Sequence, residues 1–322
     1  LWSKPSLILI TMWSSGAGML IFLAARLSAI DAFPPFIDET VHLNYAERII
    51  ETASPLEGID LGRPLTIYWY ILFDATAAAP MWVGRAATII ASVITFAAWL
   101  AIARLISGVS GMVAAAVALT LSTYHLFFER LALADSISAV AVTGAIYAAY
   151  RLRFRVSTRD AVLVGILLFA AVCAKINVLA YYGIPLAAAL TLRPHGRRWV
   201  DNARWAAAAL GTAVVLLVAA ILVVRLRGMD FVVNGLWAAG GRNSMSLEAL
   251  LSPSRLLGNI ELTLIMWFGY FQLPGMLLLA IGVAWLILGR RGYFVLLFAP
   301  AVLLWFNIPQ ERASADAVPI DA

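Results

Sequence analysis

The feature that most constrains this chain is the recurrence of apolar runs, many close to the length of a membrane crossing, joined by short polar connections. The first covers Leu7–Leu27, and others follow at Ala86–Leu105, Gly111–Tyr124, Ile137–Tyr150, Ala161–Ala174, Val178–Leu192, Trp205–Val224, Leu273–Leu288 and Tyr293–Trp305. A helix needs about 20 apolar residues to cross the hydrocarbon layer of a bilayer. Inside lipid every backbone polar group must be satisfied within the structure, which restricts crossing segments to helices and closed barrels. With 63% hydrophobic residues, 13% charged residues and a mean hydropathy of +0.90, the chain lies far from the soluble norm of about 45–50% apolar and about 25% charged. The expected fold is an all-α integral membrane protein, a polytopic bundle of about nine transmembrane helices. Residues 1–306 are expected to form one multi-pass domain, and the polar segment 307–322 reads as a disordered or truncated tail.

Charge placement gives the bundle a direction. If the amino terminus is cytoplasmic, the connections on that side hold Lys4, Arg104, the block Arg151, Arg153, Arg155 and Arg159, the block Arg193, Arg197, Arg198 and Arg204, and the pair Arg290–Arg291. Such clustering of basic residues in short connections is what the positive-inside rule expects. Only Asp160 and Asp201 among the acids fall on the same side. The basic balance, with net charge +5, therefore reads as topology, and no nucleic-acid partner is expected. Cys173 is the single cysteine, so no internal disulfide framework exists, and the three histidines lack metal-ligand spacing.

The opposite face collects the residues that could carry chemistry. After the first apolar run, the loop 31–85 opens with Asp38-Glu39. Two amphipathic pieces follow. In Thr40–Thr52, Val41, Tyr45, Ile49 and Ile50 share a face suited to a helix lying on the bilayer surface, which leaves His42 and Glu47 as solvated polar positions. Pro64–Met81 carries the aromatic cluster Tyr68, Trp69, Tyr70 and Phe73, an interfacial belt. A second acidic site, Glu129-Arg130 through Asp135, joins two runs on the same face, and Lys175 interrupts a long apolar stretch. A charge held within the membrane costs about 2.5–3.5 kcal/mol on insertion scales, so Lys175 is a functional candidate by default. Each feature also has a plain structural reading: helix caps for Asp38 and Asp135, an ion pair for Glu129, a snorkelling side chain for Lys175. Together they place carboxylates and cations at one membrane level. That suits a reaction in which a carboxylate takes a proton from an attacking hydroxyl while cations hold a departing lipid phosphate.

In order and spacing these residues resemble the GT-C membrane glycosyltransferases, of the protein O-mannosyltransferase and aminoarabinose transferase type. The family's Asp-Glu pair after the first span is matched by Asp38 and Glu39. Its Lys-Pro followed by Tyr-Trp is matched by Arg63, Pro64, Tyr68 and Trp69, with Arg in place of Lys. An Arg opening the next span is matched by Arg85, an Arg-x-Ala-x-x-Asp turn by Arg130, Ala132 and Asp135, and a Lys in a short outer turn by Lys175. The likeness covers roughly Leu7–Leu192.

The resemblance implies a sugar transferred from a polyprenyl-phosphate donor to a glycan, lipid or protein acceptor, outside the cell (inner) membrane. Asp38 would be the base, supported by Glu39, with Asp135 the second acid. Arg63, Arg130 and Lys175 would contact the donor phosphate, and His42, Tyr68 and Arg85 are further site candidates. No cofactor follows from the residues. A divalent metal stays open, because GT-C enzymes divide on metal use and one acid pair does not decide coordination. The rival reading is a transporter or lipid flippase whose charges line a path, which expects charges buried along the spans with water reaching them from both sides. The loop 225–258 is long enough to cover a site.

Overall fold

A computed structural model describes residues 4–28, 30–54, 62–74, 79–192 and 198–228, together with isolated positions between 265 and 284. The expected spans Leu273–Leu288 and Tyr293–Trp305, most of the loop 225–258 and the tail 307–322 therefore lie essentially outside the described residues.

The described chain is all-helical. Nine α-helices follow in order: α1 Lys4–Leu27, α2 Ile37–Thr52, α3 Pro64–Leu72, α4 Pro80–Leu121, α5 Thr123–Phe128, α6 Ala134–Tyr150, α7 Thr158–Ala174, α8 Ile184–Thr191 and α9 Trp199–Leu226. Two of them, α4 and α9, are long and apolar enough to cross a membrane. On α9 the side chains of Val214, Val215, Val218, Leu222 and Val223 point outward, around half exposed or more.

Helix α4 is two helices in one. Gly108 sits at φ 72°, a backbone conformation that costs an L side chain energy and glycine nothing, and breaks the helix there. Phe22 of α1 stacks on Phe96 at 4.2 Å, while Arg26, one turn further along α1, donates hydrogen bonds to the carbonyls of Leu119 and Thr120. On a straight helix residues 96 and 120 would be about 36 Å apart at 1.5 Å per residue. They meet the same stretch of α1, so the chain doubles back at Gly108. This is the pair of runs expected at Ala86–Leu105 and Gly111–Tyr124.

From there the helices alternate in direction. One end of the bundle, here the upper end, holds α2 and α3, the close of α1, the start of α4 and α6 and the close of α7. The lower end holds Arg151 and Arg155 around the buried Asp160, at 3.4 Å each, and the junction of α8 with α9, where Asn202 Nδ2 donates to Ala189 O. Helices α7 and α9 cross closely. A Cβ on Gly165 would stand 2.5 Å from the Ala209 carbonyl oxygen, so only glycine lets the two helices approach this closely. The run expected as one span at Val178–Leu192 is instead a 3-10 segment, Ile176–Gly183, followed by the short α8. Pro185 near the start of α8 supplies the fixed φ that suits a first turn.

The loop helices also differ from expectation. Helix α2 begins at Ile37, so Asp38 lies in its first turn and caps nothing. Asp135 likewise sits inside the first turn of α6. Acids there complement the positive end of each helix dipole. The inward face of α2 is Glu39, His42, Leu43, Ala46 and Ile49, not the expected Val41–Tyr45–Ile49–Ile50 stripe, and Ile50 is exposed. The spacing i, i+3, i+4, i+7 is that of a buried helix face, but a charge and an imidazole occupy its first two positions. An apolar pattern search passes over such a face.

Candidate functional site

The upper end is assembled around one short turn, residues 129–133. The Ala132 N–H donates to Glu39 Oε1 at 2.7 Å, and the Ala132 carbonyl lies 3.0 Å from His42 Nδ1. Both partners are on α2, three residues apart and so on one face. One peptide residue thereby sets the register of α2 on the bundle.

Glu39 is completely buried, and its carboxylate is saturated. It accepts Arg85 Nε at 2.9 Å and Nη2 at 2.8 Å, Ala132 N–H, and Phe36 N–H at 2.8 Å. Burial alone would raise its pKa, but these donors outweigh burial and hold the carboxyl below the usual carboxylate range. Arg85, also buried, spends its remaining donors on the carbonyls of Ile30, Phe33 and Pro34. The pair ties α2, α4 and the incoming loop together, and neither member has a free face for a substrate.

Asp38, the neighbour of Glu39, is turned about 100° around the helix and faces the open side. Its side chain is 47% exposed and 3.9 Å from Arg63 Nη1, which is itself 31% exposed. Across from it, Asp135 is 52% exposed and accepts a hydrogen bond from Lys175 Nζ. Helix α3 fixes the lysine: Thr66 Oγ1 donates to the Ala174 carbonyl at 2.8 Å, holding the last residue of α7 immediately before Lys175. Trp69 Nε1 to Ala87 O and Tyr70 hydroxyl to Thr88 lock α3 onto α4.

Between the two acid–cation pairs lies His42, which is fully buried, so its expected solvated position is corrected. It became an interior residue because both ring nitrogens find partners: Ala132 O on one side and Arg63 Nη1, at 2.7 Å, on the other. Burial foremost, and Arg63 next to it, lower its pKa against the opposing pull of Ala132 O, Asp38 and Asp135.

Arg130 does not join this group. Its guanidinium turns to the end of α1, donating to Ala25 O and Ser28 Oγ, which takes it out of the expected set of phosphate contacts. Tyr68 lies on the exposed side of α3. Glu129 is an ion-pair residue as expected, but its partner is Arg26 at 2.8 Å, with Arg26 Cζ stacked 3.6 Å over the Phe22 ring. Sequence reasoning passed over Arg26 and Thr66, and it assigned Tyr70, which is completely buried against α4, to an interfacial belt. An arginine in the last turn of an apolar run was the available signal for Arg26; the role of Thr66 and the burial of Tyr70 follow only from packing. Among the described residues no three His, Cys, Asp or Glu side chains converge on a position that could hold a metal ion. Asp38 and Asp135 each stand beside a cation.

The assembled group is thus two half-exposed carboxylates, two cations and a buried imidazole at one end of a helical bundle. It can accept a proton and bind an anion at adjacent positions. No protein-family model, characterised protein or solved structure matches this chain.

Proposed function

We propose that this chain is a polytopic membrane glycosyltransferase of the GT-C type, using a polyprenyl-phosphate sugar at the extracytoplasmic face of the cell (inner) membrane. The helices that alternate from α1 to α9, with α4 counted as two, would supply seven crossings, and the apolar runs at 273–288 and 293–305 two more. The basic lower end would face the cytoplasm. One observation carries the reading: Asp38 and Asp135, half exposed, stand beside Arg63 and Lys175 at the same end, the complement a lipid-phosphate donor and a hydroxyl acceptor require.

In this mechanism Asp38 takes the proton of the acceptor hydroxyl as its oxygen attacks the anomeric carbon. The bond from that carbon to the phosphate oxygen breaks, and the charge left on polyprenyl phosphate is met by Arg63 and Lys175. Arginine binds phosphate through two donors, so it replaces lysine at position 63 without loss of that role. Direct attack inverts the anomeric centre. Asp135 holds Lys175 in place, and Glu39 and Arg85 hold the helix that carries Asp38. A translocation path would need charge distributed along the bundle, whereas the ion pairs among the described residues lie at its two ends.

The test is release of polyprenyl phosphate in proteoliposomes from a panel of polyprenyl-phosphate hexose and pentose donors, for the natural sequence and for Asp38→Asn. Release that disappears in the variant supports the reading. Folded protein that releases nothing from any donor, or that moves lipid between leaflets without release, overturns it.

A further inference from the structure

Arg63 has two acceptors within reach, and it bonds the weaker one. Its Nη1 lies 2.7 Å from His42 Nε2 but 3.9 Å from Asp38 Oδ2. A guanidinium beside a carboxylate ordinarily forms the shorter, charge-assisted contact. Here the imidazole takes the hydrogen bond, and the carboxylate keeps its lone pairs.

Hydrogen-bond chemistry fixes the state of the ring that does this. A carbonyl only accepts, so the 3.0 Å contact with Ala132 O requires a proton on Nδ1. An arginine only donates, so the contact with Arg63 requires a lone pair on Nε2. Both demands are met by one form alone, the neutral Nδ1–H tautomer. Around it stand Asp38 on α2, Arg63 at the start of α3, and Asp135 of α6 with Lys175 from the close of α7 beyond it. The Tyr70 ring of α3 lies roughly parallel, its centroid 6.2 Å away, and the Glu39–Arg85 pair lies one turn back on α2 and α4.

We propose that His42 is a positioning residue that withholds Arg63 from Asp38, keeping the carboxylate free as a base and the guanidinium free for an anion. When a proton enters Nε2, two donors and two positive charges face each other, the bond to Arg63 breaks, and Arg63 closes onto Asp38. The base is then neutralised by its own neighbour. The inference rests on the transferase reading for its consequence in turnover, but the tautomer and the His42–Arg63 bond stand without it.

Two measurements test it. The first uses the full-length chain in nanodiscs, labelled with nitrogen-15 histidine; the chain has three histidines, so a His42→Asn sample identifies the His42 signals. At neutral pH Nε2 should give the resonance of an unprotonated ring nitrogen and Nδ1 that of a protonated one, and Arg63→Met should shift the Nε2 signal. A protonated Nε2, or no response to Arg63→Met, overturns the proposal whether or not any sugar is transferred. The second is turnover. Asparagine keeps a donor near the Nδ1 position for Ala132 O but removes the acceptor for Arg63, so His42→Asn should lower kcat/KM by about 100-fold, the usual cost of a misplaced catalytic group. The acid limb that the imidazole contributes to the profile of the natural sequence should vanish with it. In an Arg63→Met background the same substitution should cost less than about threefold, because nothing remains to be withheld. Additive losses across that cycle, or an unchanged acid limb in His42→Asn, overturn the positioning role. Transfer absent from the natural sequence with every donor would instead defeat the transferase reading and leave the nitrogen-15 result to decide.

Discussion

Asp38 and Glu39 are adjacent in the chain and opposite in fate. Glu39 faces inward, has four hydrogen bonds and touches no solvent; Asp38 faces outward and has one loose ion pair at 3.9 Å. The difference comes from the helix, which turns neighbours by about 100°, and from Arg85, which arrives from α4 on one side only. A buried charge is tolerated when it is paired and its lone pairs are filled, and removing one partner then costs far more than the pair is worth net. An acid meant to react needs the reverse, with unfilled lone pairs and a route in. One dipeptide supplies both, the second acid anchoring the helix that presents the first.

The largest expected effect comes from breaking the anchor. Arg85→Ala leaves the Glu39 carboxylate buried without its cation and strips donors from the carbonyls of Ile30, Phe33 and Pro34. We expect a loss of about 3–5 kcal/mol, read as failure to recover a monodisperse protein in detergent or as a collapse of its thermal transition. Asp38→Asn should do the opposite. Its stability should stay within about 1 kcal/mol of the natural sequence, as expected for an exposed pair, while transfer falls by about 10²–10⁴-fold with loss of a general base. Equal damage to folding from both substitutions would dissolve the contrast between the two acids.

A smaller effect separates positioning from chemistry at the second pair. Thr66→Val removes the donor to the buried Ala174 carbonyl, and an orphaned buried acceptor costs about 1–3 kcal/mol. Because that carbonyl precedes Lys175, the variant should also raise KM for the lipid donor more than it lowers kcat. An unchanged KM would mean that Lys175 is placed by Asp135 alone.

How much of this was legible in the sequence follows the kind of signal involved. The helical class and the doubled run across residues 86–124 came through, because hydropathy is local and repeats along the chain. Asp38, Asp135 and Lys175 stand out in the sequence because charges beside apolar runs are rare and costly, and Arg63 only through the likeness to the GT-C pattern; the structure brings the four to one end as two acid–cation pairs. Arg130 and His42 were misplaced for a shared reason: which way each turns depends on a carbonyl from a distant part of the chain, Ala25 for one and Ala132 for the other. Backbone acceptors have no sequence signature. The inward face of α2 was missed because saturation by Arg85 and Ala132 makes Glu39 behave as a core residue, and no hydropathy scale scores a partner.

Acid should separate the two kinds of group last and most gently. The folded pKa of His42 lies below that of the exposed imidazole, about 6.5, so its contribution to stability is complete above that value. It should drain away as pH falls from there toward the folded value, because the unfolded chain binds the proton first. Glu39 is also held below its ordinary value, so its contribution is complete above the usual carboxylate range and is lost only as pH falls through the lower folded value. Thermal stability should therefore decline in two stages on acidification, the first set jointly by His42 and by His125, whose buried ring is pushed down to about 4, and so reduced but not abolished in His42→Asn, the second retained in that variant. A first stage unchanged by the substitution would mean that the His42 imidazole meets the same surroundings folded and unfolded. It would also break the link from Ala132 through His42 to Arg63 that keeps Asp38 open.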